Sequence, residues 1–284
     1  MSKKYTKKAL TIEQQINLLK KRGLIINDDN KLKHYLNTVG YYCLSGYFKI
    51  FQNKDDAFFK NTTFERVLGV YFFDRKLRLL FLNALERIEK SFRTQFVYHI
   101  TLKYGPYYFD EDYINEKDKE KISDILEKSK EPFIKNFQEK YSNESPPLWM
   151  LAEILSFGDI LNFYIRVIEN VDKKEIANYF NFGWKYLYSW LENLREVRNI
   201  AAHHSRLWNK KITKQLKKGK LYSELSYEGY VFDSIIVTAV ILGKVSPNYE
   251  WLGYIKDLVF EYKIDVNKMG FPSNWESVFK NLKE

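Results

Sequence analysis

The sequence has little of what marks disulfide-rich or membrane proteins. Its 284 residues include 12 Gly, 6 Pro and a single cysteine, Cys43. One cysteine excludes an internal disulfide and a cysteine-based zinc site, and we expect Cys43, between Tyr42 and Leu44, to lie in the core. No apolar run approaches the roughly 20 residues of a membrane span, and the lysine-rich start lacks a signal peptide. We therefore expect a cytoplasmic protein with no membrane partner.

Motifs for metal and nucleotide chemistry are also missing. The sequence has no H-E-x-x-H pair, no G-x-x-x-x-G-K-[ST] phosphate loop and no G-x-G-x-x-G fingerprint. We therefore expect no metal and no cofactor. Two of the four histidines, His34 and His99, stand alone among apolar and aromatic neighbours, and we interpret both as structural.

Positive charge is what the chain has in surplus. Its formal net charge is +10, and a surplus of this size favours polyanionic partners, nucleic acid first. A lysine-rich composition that serves solubility would explain much of it, because only ten of the 46 basic residues are arginine. Three of those ten, Arg195, Arg198 and Arg206, fall within twelve residues around the adjacent pair His203 and His204.

Apolar residues at spacings of three and four predict an all-α fold. Capping boxes are expected at Thr11 and Thr62. The second box opens an apolar repeat from Phe64 to about Leu102, a helix of about 60 Å that would form the spine of a helical bundle. We expect one domain over residues 1–284, with a helical insertion at about 106–145. Further helices are predicted near 116–130 and before Tyr141, then at about 148–157, 160–168, 175–180, 186–203, 231–242, 249–262 and 274–282.

The segment Arg198-Asn199-Ile200-Ala201-Ala202-His203 concentrates groups that handle phosphate and protons. Arginine matches phosphate oxygens, and histidine exchanges a proton near neutral pH. RNA cleavage needs both, because the attacking 2′-hydroxyl loses a proton, the leaving 5′-oxygen gains one, and the phosphorane is anionic. The candidates for catalysis are Arg198, Asn199, His203 and His204. Arg, Asn and His near a helix end are also common without any catalytic role.

The spacing of the two outer residues poses a geometric question. At 100° per residue, Arg198 and His203 lie about 140° apart on a helix, whereas Arg195, Asn199 and His203 follow one face. Three arrangements would bring Arg198 and His203 to the same phosphate. The flexible arginine side chain reaches round the helix, or the helix ends near His203, or a second copy of the chain completes the site.

A basic segment follows directly. Residues from Arg206 to Lys220 include seven basic side chains and no acidic one, beside Trp208. Such a segment suits a surface that tracks a nucleic-acid backbone, although a solvated loop explains it equally well. The candidates for RNA contacts are Arg195, Arg206, Lys210, Lys211 and Lys214.

Five blocks of the chain, in order, resemble the Abi proteins of bacterial abortive phage infection, the AbiD/AbiF-like group of the HEPN superfamily. The first block is Val39-Gly40-Tyr41-Tyr42-Cys43-Leu44-Ser45-Gly46-Tyr47-Phe48. The second is Phe73-Asp74-Arg75-Lys76-Leu77-Arg78 with residues 85–93. The third is Pro147-Leu148-Trp149-Met150 with Leu155-Ser156-Phe157-Gly158, the fourth is 198–209, and the fifth is Met269-Gly270-Phe271-Pro272 with Trp275.

The resemblance implies a helical HEPN fold and a metal-independent endoribonuclease that leaves a 2′,3′-cyclic phosphate. It also implies a homodimer with a composite site, a toxin role in phage defence and a small structured non-coding RNA as antitoxin. Arg198 and His203 match the motif pair, Asn199 its polar companion, and His204 and Arg206 the extended motif. The long helix would add Glu86, Glu89 and Arg93, which a solvated or ion-paired helix face explains equally well.

Two functions therefore stay open. In the first, the protein is an RNase toxin. In the second, it is a HEPN-fold RNA-binding protein without turnover, which holds a guide or antitoxin RNA. An intact set of Arg198, Asn199 and His203 favours the first.

Overall fold

A computed structural model of the chain describes residues 6, 8–111, 114–143, 145–166, 168–219 and 225–282. Within these ranges the regular structure is helical, and two isolated bridges, Ile25 with Thr63 and Gln52 with Phe58, are the only β-type pairings. The prediction of an all-α fold is confirmed. No helix in the described part of the chain is long and apolar enough to cross a membrane.

The helices fall close to their predicted positions, with two short ones, α2 and α3, added before the spine. Their bounds are α1 Ile12–Lys21, α2 Asp29–Thr38, α3 Tyr41–Phe48, α4 Phe64–Tyr104, α5 Glu116–Lys128, α6 Pro132–Lys140, α7 Leu148–Ile154, α8 Phe157–Arg166, α9 Asn170–Tyr179, α10 Trp184–Ala202, α11 Val231–Val245, α12 Trp251–Glu261 and α13 Trp275–Asn281.

The chain divides into two compact units. The first comprises Met1–Arg78 with Lys256–Asp265, and the second comprises Leu79–Ile255 with Val266–Glu284. The long helix α4 begins in the first unit and ends in the second. One domain with an insertion at about 106–145 stays a prediction.

Capping side chains set the helix starts in the first unit. The predicted capping box at Thr11 is present: its hydroxyl accepts from the Gln14 backbone N–H at 3.2 Å, and the Gln14 side chain accepts from Thr11 at 2.9 Å. The box predicted at Thr62 is wrong by one residue. Thr63 caps α4 by accepting from the Arg66 N–H at 3.2 Å, whereas the Thr62 hydroxyl donates to the Phe59 carbonyl at 2.7 Å.

A buried polar network joins α3 to α4 in the first unit. The Tyr47 hydroxyl donates to Asp74 at 2.6 Å, and Arg78 forms an ion pair with the same carboxylate. Burial, together with the negative charge of Asp74, raises the pKa of the Tyr47 hydroxyl, so this tyrosine stays a hydrogen-bond donor. The blocks 39–48 and 73–78 therefore owe part of their pattern to packing.

Cys43 is exposed, which contradicts its expected place in the core. The reason is the helical period. Leu44, Tyr47 and Phe48 occupy the buried face of α3, and Cys43 lies about 100° from Leu44, toward solvent.

The second part of α4 is the spine of the second unit, as predicted. Its buried residues recur every three or four positions: Phe81, Ala84, Leu85, Ile88, Phe92, Phe96 and Ile100. The Phe92 ring packs against the rings of Phe157 and Tyr164 at centroid distances of 6.4 and 5.1 Å. The Trp251 indole N–H donates to the Leu80 carbonyl at 3.2 Å.

The break between α7 and α8 comes earlier than Gly158-Asp159, where the sequence predicted it. Ser156 and Asp159 form a capping box: the Asp159 N–H donates to the Ser156 hydroxyl, and the Ser156 N–H donates to the Asp159 carboxylate, both at 3.2 Å. The box starts α8 at Phe157, and α7 ends at Ile154. In this segment Leu151 and Leu155 are buried, whereas Trp149 is 51% exposed.

Candidate functional site

The Arg198 to His203 segment forms the last turn of α10, and His203 is its C-cap residue. The chain then turns sharply, because His204 has a φ of 56°. The His204 N–H donates to the Ala201 carbonyl at 3.1 Å, and the Ser205 N–H donates to the Ile200 carbonyl at 3.0 Å. This is the Schellman arrangement that ends many helices. It leaves both histidine side chains exposed.

Arg198 lies beside α4. Its Nε is 3.9 Å from Oε2 of Glu89, and its Nη1 is 3.4 Å from Oδ1 of Asn199. Nη2 of Arg93 donates to Oε1 of Glu89 at 3.0 Å and to the Leu155 carbonyl at 3.1 Å. Glu89 therefore lies between two arginines. Glu86 is exposed and makes no ion pair with any other described residue.

A neighbouring face of α10 borders an open cleft of about 380 Å³. Arg195, Asn199 and His203 share this face, as their four-residue spacing predicted. Arg198 is not among the lining residues, so the structure does not bring Arg198 and His203 to the same cleft. The polar and charged residues that line it are Arg195, Glu196, Asn199, His203, Ser205, Thr213 and Lys214.

Glu192, which the sequence did not indicate, pairs with two basic residues that line this cleft. The Arg195 guanidinium donates to both of its carboxylate oxygens at 2.9 Å, and Nζ of Lys214 lies 3.7 Å from Oε2. The hydrogen bonds that Arg195 donates to Glu192 raise the pKa of Arg195. Arg195 also packs against the start of α8, where a Cβ at Gly158 would lie 3.4 Å from its Nη1.

The residues from 206 to 219, called the basic strap below, run along α10 without regular secondary structure. Leu207, Trp208, Ile212 and Leu216 are buried, so Trp208 offers no exposed ring to a nucleic-acid base. Lys220, the last residue of the predicted basic segment, lies outside the described residues. The strap is therefore a packed element and not a solvated loop.

The predicted RNA contacts separate into two groups. Arg195 and Lys214 line the cleft, whereas Arg206 and Lys210 do not. The side chain of Lys211 turns away, since its Nζ donates to the Glu228 carbonyl at 3.1 Å.

Three polar side chains of α10 hold the strap, and the sequence reading missed all of them. The Ser189 hydroxyl accepts from the Lys217 N–H at 2.7 Å, and the buried Asn193 amide donates to the Lys214 carbonyl at 2.7 Å. Glu196 accepts from the N–H groups of Thr213 and Lys214. Residues 189, 193 and 196 share one helix face, and that polar stripe was the available signal.

The fold and the site together define a class: an all-helical protein with arginine, asparagine and histidine at the end of one helix, beside a cleft. The model of the Abi-like protein family matches residues 34–209, more than half of the chain. The chain therefore belongs to the Abi-like protein family, which suggests a role in abortive infection or defence. The matched range includes α10 but ends before Thr213 and Lys214. No curated protein and no solved structure matches the chain.

Proposed function

We propose that this protein is a HEPN-type endoribonuclease that acts as a toxin in abortive infection. The observation that carries the proposal is the exposed end of α10, where His203 borders a cleft that Arg195 and Asn199 also line. Family membership supports the abortive-infection role. A small structured RNA as antitoxin and a cytoplasmic location belong to the same proposal.

In the proposed reaction the RNA supplies its own nucleophile. The 2′-oxygen bonds to the adjacent phosphorus, the bond from phosphorus to the 5′-oxygen breaks, and a 2′,3′-cyclic phosphate and a 5′-hydroxyl form. The 2′-hydroxyl loses one proton and the 5′-oxygen gains one. The His203 and His204 imidazoles would accept and donate these protons. Arg195 and Arg198 would stabilise the phosphorane, with Asn199 as a hydrogen-bonding companion. No step needs a metal ion.

Glu89 and Arg93 support this assignment by position. Glu89 and Arg93 form an ion pair in which 17% of each side chain is exposed, and Glu89 also lies 3.9 Å from Nε of Arg198, whose side chain is 45% exposed. In the proposed role Glu89 orients the Arg198 guanidinium, and Arg93 holds Glu89 in place.

A second function, RNA binding without turnover, has its own observation. Arg198 and His203 lie on different sides of α10, and Glu192 pairs with both Arg195 and Lys214. A single chain in this arrangement is suited to gripping RNA more than to surrounding one phosphate.

The decisive experiment compares an RNA strand with the same sequence made as 2′-deoxy, each with and without a chelator. We expect cleavage of the RNA to survive the chelator and the deoxy strand to stay intact. Cleavage of the deoxy strand contradicts 2′-hydroxyl attack, and loss of cleavage with the chelator contradicts metal independence. Tight binding without any cleavage supports the second function.

The accompanying variants are Arg198→Ala and His203→Ala. Each should lower the cleavage rate by about 100-fold or more, because a positioned acid or base such as His203 contributes about 10²–10⁴ and a group that stabilises the phosphorane, as proposed for Arg198, contributes about 10²–10³. Arg75→Ala and His34→Ala are matched controls, since both residues are exposed and lie in the other compact unit. Equal losses in the controls, or full activity in Arg198→Ala and His203→Ala, contradict the catalytic assignment.

A further inference from the structure

Lys214 differs from the other lysines of the basic strap in how its backbone is held. Its N–H donates to Oε2 of Glu196 at 2.7 Å, and its carbonyl accepts from Nδ2 of Asn193 at 2.7 Å. Both backbone groups of one residue are thus bound by side chains of α10. The Lys214 side chain emerges from this fixed point and lines the cleft with Arg195 and His203.

Glu196 accepts three of the hydrogen bonds that hold Thr213 and Lys214 against α10. One oxygen accepts from the Thr213 N–H at 3.0 Å, and the other accepts from the Thr213 hydroxyl at 2.8 Å and from the Lys214 N–H. A carboxylate is suited to this task because it accepts on both oxygens and has no donor of its own. A glutamine in its place would present an NH₂ group to one set of these donors.

Asn193 holds the Lys214 carbonyl from the buried side of α10. It is fully buried, and its Oδ1 accepts from the Ser234 hydroxyl at 2.7 Å. That bond to α11 orients the amide, so its NH₂ group points at the Lys214 carbonyl. The anchor of Lys214 is therefore tied to the packing between α10 and α11.

We propose that Glu196 is a positioning residue that holds Lys214 in the cleft as a contact for an RNA phosphate. The proposal deepens the proposed function in that RNA is the ligand, but it concerns binding and not cleavage. The proposal predicts a change in RNA affinity that is opposite in sign to the one expected from charge alone. Glu196 is an acidic residue beside a site for a polyanion, so removal of its charge would strengthen RNA binding by electrostatics alone. A positioning role predicts weaker binding.

The experiment measures the affinity of the full chain for a short single-stranded 2′-O-methyl RNA, which has no free 2′-hydroxyl to attack, across a salt series. The chains are the wild type, Glu196→Gln, Lys214→Gln, the double variant and Glu192→Gln. Lys214→Gln should reduce the slope of log affinity against log salt by about 0.7, the value for one phosphate contact on a single strand. Glu196→Gln should weaken binding about fivefold, a coupling typical of residues in one hydrogen-bond network.

Two comparisons make the result specific. The effect of Glu196→Gln should disappear when Lys214 is already glutamine, because Glu196 acts through that lysine. Glu192→Gln is the matched control: it removes the same charge from α10 and frees Arg195 and Lys214, so it should strengthen binding. Thermal unfolding of each variant shows whether the fold is intact. If Glu196→Gln fails to fold, Thr213→Val replaces it in the test. Thr213→Val removes one of the three hydrogen bonds to Glu196 and no charge, and it should also weaken RNA binding.

Stronger binding by Glu196→Gln, an equal loss in the Lys214→Gln background, or no RNA binding by the wild type overturns the proposal. The proposed function fails separately. Coupling between Glu196 and Lys214 in a protein that cleaves no RNA supports the positioning role and rejects the nuclease. Cleavage without this coupling does the reverse.

Discussion

His204 holds a backbone conformation that glycine adopts at no cost. Its φ of 56° lies in the left-handed region, and most helices with this ending place glycine or asparagine there. A side chain in that region costs of order 1 kcal/mol, and such residues cluster at functional sites. An exposed imidazole at this cost, next to His203, is consistent with the catalytic role that we propose for it.

We therefore expect His204→Gly to stabilise the protein by about 0.5–1 kcal/mol and to lower RNA cleavage. Denaturant unfolding and cleavage rates measure the two effects. Asn209→Gly is the matched control, because Asn209 has a φ of 54° in the basic strap and no proposed chemistry. Asn209→Gly should be at least as stable as the wild type, and it should cleave RNA at the wild-type rate. Full cleavage by His204→Gly would remove His204 from the catalytic set.

At the scale of the element, the capping box that starts α8 also supports the site. Leu155, just before it, offers its carbonyl to Arg93, and Gly158, just inside it, packs against Arg195. Asp159 additionally forms an ion pair with Lys121 of α5. Burial alone would raise the pKa of Asp159, but hydrogen bonds from Lys121 and Ser156 outweigh it and hold the pKa below its usual value.

Because the folded-state pKa of Asp159 is lowered, its ionised form stabilises the fold above the unfolded-state pKa of about 3.9. This stabilisation is lost as the pH falls below that value and through the folded-state pKa. Asp159→Asn should cost about 1 kcal/mol at pH 7, and the difference from wild type should shrink as the pH falls below about 4.

Urea unfolding at pH 7 and at a series of lower pH values measures this difference. Asp124→Asn is the control, since its pair with Lys128 is largely exposed and surface pairs contribute little. A loss for Asp159→Asn that is the same at every pH would show that the charge of Asp159 does not stabilise α8.

At the scale of the whole molecule, one chain leaves Arg198 beside α4 and His203 in the cleft. We propose that the active species is a homodimer in which two copies of α10 complete one site around the RNA. The like charges of two motifs would repel each other without an anion between them, so we expect RNA to favour the dimer.

Light scattering with and without RNA should show a dimer, and the specific activity should fall on dilution. A mixture of Arg198→Ala and His203→Ala chains should recover part of the activity, because a mixed dimer retains one copy of each group. A monomer with full activity per chain at every concentration contradicts the composite site.

The helices and the position of the motif follow from the sequence by itself. The apolar repeat predicts α4 to within two residues at its C-terminal end, and the spacing of Arg195, Asn199 and His203 predicts the face that lines the cleft. Both depend on neighbours three or four residues apart, and such local relations can be read along the chain.

Only the tertiary structure decided which polar groups meet. Glu196 accepts from the backbone N–H of Lys214, 18 residues away, and Glu89 and Arg198 come from different helices, so no periodicity pairs them. The exposure of Cys43 and the burial of Trp208 also depend on the tertiary structure. Each is set by which face of a short segment the rest of the fold covers. The sequence alone predicted that the basic segment from Arg206 to Lys220 is a surface for RNA and left a solvated loop as the alternative. The packing of this segment against α10 makes Lys214 the one strap lysine, among the described residues, whose side chain lines the cleft.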